Sequence, residues 1–167
     1  MTPAVRKLAL TAHVCSSVGW LGAVAGFLAL ALTGLDSLDS EKVRAACVAM
    51  NVVAWCVILP ACLASLATGI VQSLGTPWGL LRRHHWTVAK LFITVVSTTI
   101  LLVHMRPISF LGGIALHGAT GLAELHEVRF QLVAASGGAM VALLVATVLS
   151  VYKPKGLTAY GRRMQTE

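Results

Sequence analysis

The chain has 167 residues, of which 57% are apolar and only 11% charged, and its formal net charge is +7. Soluble domains carry about 25% charged residues, so this composition excludes a water-covered globule, and its apolar content excludes a disordered chain. The 13 Lys and Arg residues sit in short runs between apolar blocks, which argues against a basic face for nucleic acid and matches the charge pattern of a membrane protein.

A spanning helix needs about 20 mainly apolar residues. The block Leu8 to Leu35 carries no formal charge, with His13 its one imidazole, and predicts a helix over about 8–34. It is too long for the apolar region of a signal peptide and has no A-x-A site before a polar start, so it is expected to be retained. The uncharged stretch Ala45 to Leu81 predicts a helix over about 44–73, ended by Gly75, Pro77 and Gly79. A third helix is predicted over 86–106, with Lys90 one turn inside its start. The segment 107–128 contains Gly112, Gly113, Gly118 and Gly121 and reads as interfacial or re-entrant. A fourth helix is predicted over 130–152, uncharged throughout. The expectation is one all-α domain, an integral membrane four-helix bundle in contact with the lipid bilayer.

Orientation follows from the basic residues, which stay on the cytoplasmic side. Arg6 and Lys7, then Arg82 and Arg83, then Lys153, Lys155, Arg162 and Arg163 all fall on one side. Asp36, Asp39 and Glu41, and later Glu124 and Glu127, fall on the other. Both termini are therefore expected in the cytoplasm, with the protein in the cell membrane.

Polar groups are costly in hydrocarbon and usually face a bundle interior. His13, Ser17 and Trp20 share a face of the first helix. Asn51, Trp55, Cys62, Ser65, Gly69 and Gln72 share one on the second, and Thr87, Lys90, Thr94, Ser97 and His104 form a stripe on the third. Helices one to three are thus expected to enclose a polar seam. Cys15, Cys47, Cys56 and Cys62 form no CxxC pair and read as small apolar fillers. Gly22 and Gly26 stand at GxxxG spacing, and Ala134 to Gly138 is a patch of small residues. Both patterns suit close helix approach, either within the bundle, the favoured reading, or in a homodimer.

His13 has two readings: an axial ligand for a haem iron, or a packing residue bonded to a neighbouring serine. Lys90 either joins a ligand site or snorkels its ammonium to water. His104 is expected near the outer end of its helix, as an interfacial group or a separate metal candidate. His117, Glu124, His126 and Glu127 match no metal motif and read as a solvated loop. His84 and His85, beside Arg82 and Arg83, read as an interface cluster for anionic lipid.

The segment HVCSSVGWLGAV at 13–24 resembles the first helix of small bacterial four-helix membrane proteins, among them the copper-resistance D-type domains and the HemJ-type protoporphyrinogen oxidases. The segment WTVAKLFITVVSTTILLVHM at 86–105 resembles their third helix. TPWGLLRRHHW at 76–86 and LSVYKPKGLTAYGRR at 149–163 resemble a group of actinobacterial four-helix proteins. The HemJ resemblance implies a haem-associated pair, carried by His13 and Lys90. The Arg-Phe-Phe-Asn-Glu-type run of that group is reduced here to Arg129-Phe130, followed by Gln131, and no Met-rich or His-rich copper-loading tract is present.

His13 and Lys90 are expected at similar shallow depth, so one macrocycle, haem b, is expected to meet both, with Lys90 as second ligand or propionate partner. His104 lies fourteen residues further on, a rise of about 21 Å, which keeps it from sharing an iron with Lys90. The leading expectation is a haem-b-binding membrane redox protein served by an electron-transfer partner in the membrane. The alternatives are a structural or partner-binding membrane protein without chemistry, and a small transporter subunit. An inverted repeat would mark the transporter, and Pro60 in helix two has no counterpart in helix four.

Overall fold

The structure, a computed structural model, describes residues 2–75, 85–117 and 125–152. Their order is α1 (Pro3–Asp36), α2 (Ser40–Val53), a π-helical segment (Ala54–Ile58), α3 (Leu59–Gly75), α4 (His85–Leu116) and α5 (His126–Tyr152). Four spans in this order, Pro3–Asp36, Ser40–Ser73, Thr87–Leu116 and His126–Tyr152, are long and apolar enough to cross a membrane. The all-α membrane bundle expected from the sequence is the architecture observed.

Local chemistry extends three spans beyond their apolar blocks. Thr2 caps α1, its hydroxyl accepting from the Val5 amide at 3.4 Å, and Pro3 follows at the first helical position. Asp39 caps α2 by accepting from the Glu41 amide at 3.0 Å, so that helix starts at Ser40 rather than near residue 44. The third span differs most from its prediction. It continues through Pro107 to Leu116, so 107–116 is continuous helix and not a separate turn. Proline removes a single backbone hydrogen bond, which packed membrane helices tolerate. The far side of Pro107 is held by Ile108, Leu111 and Ala115, all buried. Residues 118–124 of the predicted segment, the Arg82–Arg83 loop and the basic tail lie outside the described residues.

The second span crosses as one continuous rod that changes pitch at Ala54–Ile58. Pro60 lies just past this segment, and a proline ring clashes with the carbonyl four residues before it. The π turn relieves that crowding, the Leu59 amide bonding back five residues to the Ala54 carbonyl. Buried Met50, Ala54, Ile58 and Cys62 are spaced by fours. In a pure α-helix this spacing drifts off a face by about 40° per step, and the wider turn takes up the drift.

The helices form a square. α1 packs against the second span on one side and α5 on the other, and α4 likewise contacts both. α1 and α4 face each other diagonally and make no close backbone contact among the described residues. Trp20, Val24 and Phe27 of α1, with Ile58, Ile108 and Leu132, fill the middle. On α4, Ser97 and Thr98 are buried whereas Val95 and Val96 are exposed, as the polar stripe predicts.

The close approach happens at an unexpected glycine. A Cβ on Gly112 would stand 2.7 Å from the Asn51 Cβ, so α2 and α4 cross there nearly backbone to backbone. Gly22 and Gly26, and Gly137 and Gly138, have nothing within 4 Å of a Cβ built on them. The GxxxG pair therefore faces outward, and packing within the bundle, the reading favoured from sequence, is not its use.

Candidate functional site

The end of the α1–α3 interface nearest the start of α1 is built from hydrogen bonds rather than from large apolar side chains. The Gln72 amide nitrogen donates to the Ala9 carbonyl at 3.0 Å. One turn along, the His13 Nδ1 lies 3.1 Å from the Ser65 carbonyl and 3.1 Å from the Thr68 hydroxyl. The next turn pairs the Ser17 and Ser65 hydroxyls at 2.8 Å. Gly69 makes room for the ring, since a Cβ there would sit 3.3 Å from His13 Cε1.

These contacts assign the tautomer of His13. A carbonyl only accepts, so the bond to Ser65 requires a proton on Nδ1. The Thr68 hydroxyl hydrogen goes to the Ala64 carbonyl at 2.6 Å, leaving its oxygen as a second acceptor for that proton. The remaining nitrogen, Nε2, then carries the lone pair. Metal-ligating histidines are commonly oriented in this way, with the distal N–H held by a carbonyl.

Lys90 of α4 is partly buried and within electrostatic reach of His13. Its backbone carbonyl accepts from the Thr94 hydroxyl at 2.9 Å. No ion pair to Lys90 is present among the described residues. α1 and α4 are diagonal, so His13 and Lys90 stand on helices without close backbone contact among the described residues. One turn before Lys90 the Thr87 hydroxyl oxygen is buried with no hydrogen-bond partner. Sequence spacing gives His13 and Lys90 similar depth, and the structure carries them on the diagonal helices α1 and α4.

His104 does not lie near the end of its helix, as expected from the sequence. With α4 running on to Leu116, it lies 12 residues from the helix end. Its Nδ1 donates to the Ile100 carbonyl at 2.8 Å, and the side chain lines a central cavity with Trp20, Ser97 and Ser136. Among the described residues no group of three or more His, Cys, Asp or Glu side chains is arranged to hold a metal ion.

Two features of the polar framework were not singled out in the sequence. Thr68 supplies half of the His13 anchor, and a threonine in an apolar helix gives no signal of that role until its partner is known. Arg129 is 6% exposed, and its Nη1 donates to the Gly34 carbonyl at 2.6 Å. The seam itself is divided: Ser65, Gly69 and Gln72 turn to α1, whereas Asn51 and Trp55 turn to α4, where the Trp55 indole donates to the Ser109 hydroxyl at 2.9 Å. Comparison with protein-family models, curated proteins and solved structures finds no match to this chain.

Proposed function

We propose that this chain is a multi-pass protein of the cell membrane that binds haem b at the inner mouth of its bundle and serves a redox partner in the membrane. His13 would hold its iron, and Lys90 would be the second ligand or the partner of a propionate. The observation that carries this reading is the His13 tautomer: Nδ1–H is bonded to the Ser65 carbonyl and the Thr68 hydroxyl, which leaves the Nε2 lone pair for a metal. The donor set fits haem better than a bare ion, because a macrocycle brings four ligands of its own and asks the protein for only one or two. The likeness of residues 13–24 and 86–105 to the HemJ-type proteins points the same way.

Haem bound there supplies one-electron chemistry. The protein's part is to fix the imidazole plane through Ser65 and Thr68, to hold a proton on Nδ1, and to set the Lys90 ammonium against negative charge. The basic runs at both termini and at Arg82–Arg83 support a cytoplasmic location for this mouth. Lys42 and Arg44, at the opposite end, stand 3.9 Å from Asp39 and 3.2 Å from Glu41.

Absorption spectra of the detergent-purified protein, oxidised and reduced, test the reading. Wild type is expected to show a Soret band that His13→Ala loses, Lys90→Ala shifts or weakens and His104→Ala retains. Loss of haem in His104→Ala with full retention in His13→Ala overturns the assignment. A colourless wild type from cells with ample haem favours a second reading, a structural membrane protein in which the Gly69 notch and the Ser65 bond make His13 a helix clamp.

We further propose that the outward Gly22–Gly26 face pairs two copies of the chain. Gly22→Leu with Gly26→Leu is expected to leave the bundle folded and to convert dimer to monomer in light-scattering measurements. An unchanged mass sinks the proposal.

A further inference from the structure

At mid-depth the diagonal helices α1 and α4 leave a cavity of about 50 Å³ between them. Most of its wall is apolar, with Val24 and Phe27 on one side and Leu132 on another. Besides Ser136 of α5, three polar groups interrupt that wall: Trp20 of α1, and Ser97 and His104 of α4. Trp20 is 3% exposed and Ser97 7% exposed, and among the described residues neither the indole N–H nor the Ser97 hydroxyl has a hydrogen-bond partner. The His104 Nδ1 proton is taken by the Ile100 carbonyl, so Nε2 is the nitrogen left with a lone pair. The Ser136 hydroxyl hydrogen goes to the Leu132 carbonyl at 2.7 Å, so this side chain adds only acceptor capacity.

A buried polar group without a partner costs about 1–3 kcal/mol in a protein, and hydrocarbon offers no solvent to relieve it. The three groups supply a donor (Trp20), an acceptor (His104) and a hydroxyl that does both (Ser97). Water, with two hydrogens and two lone pairs, matches that set. A buried water needs about 10–15 Å³ and two to four polar partners, so the volume takes about three. A cation would find one nitrogen and no carboxylate in the lining, and an anion no positive charge.

We infer that this cavity is a hydration site in the middle of the membrane, in which a water cluster bridges Trp20 Nε1, Ser97 Oγ and His104 Nε2. The cluster keeps the His104 imidazole in contact with water far from either surface. It is separate from the His13–Lys90 mouth and does not depend on haem.

Solid-state NMR of the full chain in lipid bilayers, with magnetisation transferred from water to ¹⁵N-labelled tryptophan and histidine, tests the site. The Trp20 indole, assigned by its loss in Trp20→Phe, is expected to receive water magnetisation. The His104 spectrum is expected to show Nδ1–H with Nε2 accepting a hydrogen bond. Ala139→Leu, which fills the cavity without touching its polar groups, is expected to abolish the transfer to Trp20. Ala135→Leu serves the same purpose where Ala139→Leu does not fold. Absence of water transfer to Trp20 in the folded wild type overturns the inference, as does a bound-xenon signal that Ala139→Leu removes, because that marks a dry void.

Discussion

Gly112→Ala is expected to destabilise the bundle by about 1–3 kcal/mol, the usual cost of forcing atoms into a filled site. The new Cβ would meet the Asn51 Cβ at 2.7 Å and Cγ at 2.8 Å. A Cβ cannot swing aside as a side-chain tip can, so α2 and α4 must separate, and the Trp55–Ser109 bond one turn away stretches with them. The better helix propensity of alanine, about 1 kcal/mol over glycine, offsets only part of this. Because the obstruction is a Cβ, adding Asn51→Ala is expected to give no rescue, whereas adding Asn51→Gly returns stability close to wild type. Asn51→Ala alone is expected to be mild, since its buried Oδ1 has no hydrogen-bond partner. Unfolding midpoints of the four variants in one detergent decide it, and a Gly112→Ala protein as stable as wild type refutes the crossing.

Arg129→Met is expected to cost about 1.5–3 kcal/mol, the worth of a hydrogen bond to a charged group. The guanidinium lies in the first turn of α5, where a positive charge opposes that helix's own dipole. Its reason for being there is the neighbouring helix: Gly34 is two residues from the end of α1, where carbonyls lack intrahelical partners and the dipole is negative. Methionine keeps the bulk but leaves that carbonyl bare. Arg129→Lys keeps the charge without the planar fork and is expected to fall between the two. Equal thermal midpoints for Arg129→Met and wild type in detergent contradict this role.

Fold class was legible because composition and run length respond to one dominant cost, the exclusion of charge from hydrocarbon. Helix ends were less legible, because Thr2 and Asp39 work through single hydrogen bonds that an apolar count ignores. Gly112 and Gly113 misled for the opposite reason: glycine weakens helices in water, but packing against neighbouring helices carried this one on to Leu116. Periodicity put Asn51, Trp55, Ser65 and Gly69 on one face, yet the π segment, which includes Trp55, separates Asn51 from Ser65 and Gly69, and each pair looks at a different neighbour. His13 and Lys90 could be paired by depth, since rise per residue is fixed. The Ser65 carbonyl that sets the His13 tautomer could not be found this way, as every residue has a carbonyl and only tertiary contact selects one. Glycine carried the weakest message. The GxxxG pair suggested a close crossing and faces outward, while Gly112, read as part of a loop, makes the tightest contact.

The π segment also ties the pitch of the second span to its chemistry. Straightening Ala54–Ile58 to uniform α pitch with all its residues kept would turn everything after it by about 100°. Ser65, Thr68 and Gly69 would then swing away from α1, and His13 would lose its partners although no residue near it had changed. A substitution that relieves the crowding at Pro60 therefore acts at a distance. The few residues beside Pro60 set the phase in which the rest of the span addresses its neighbours.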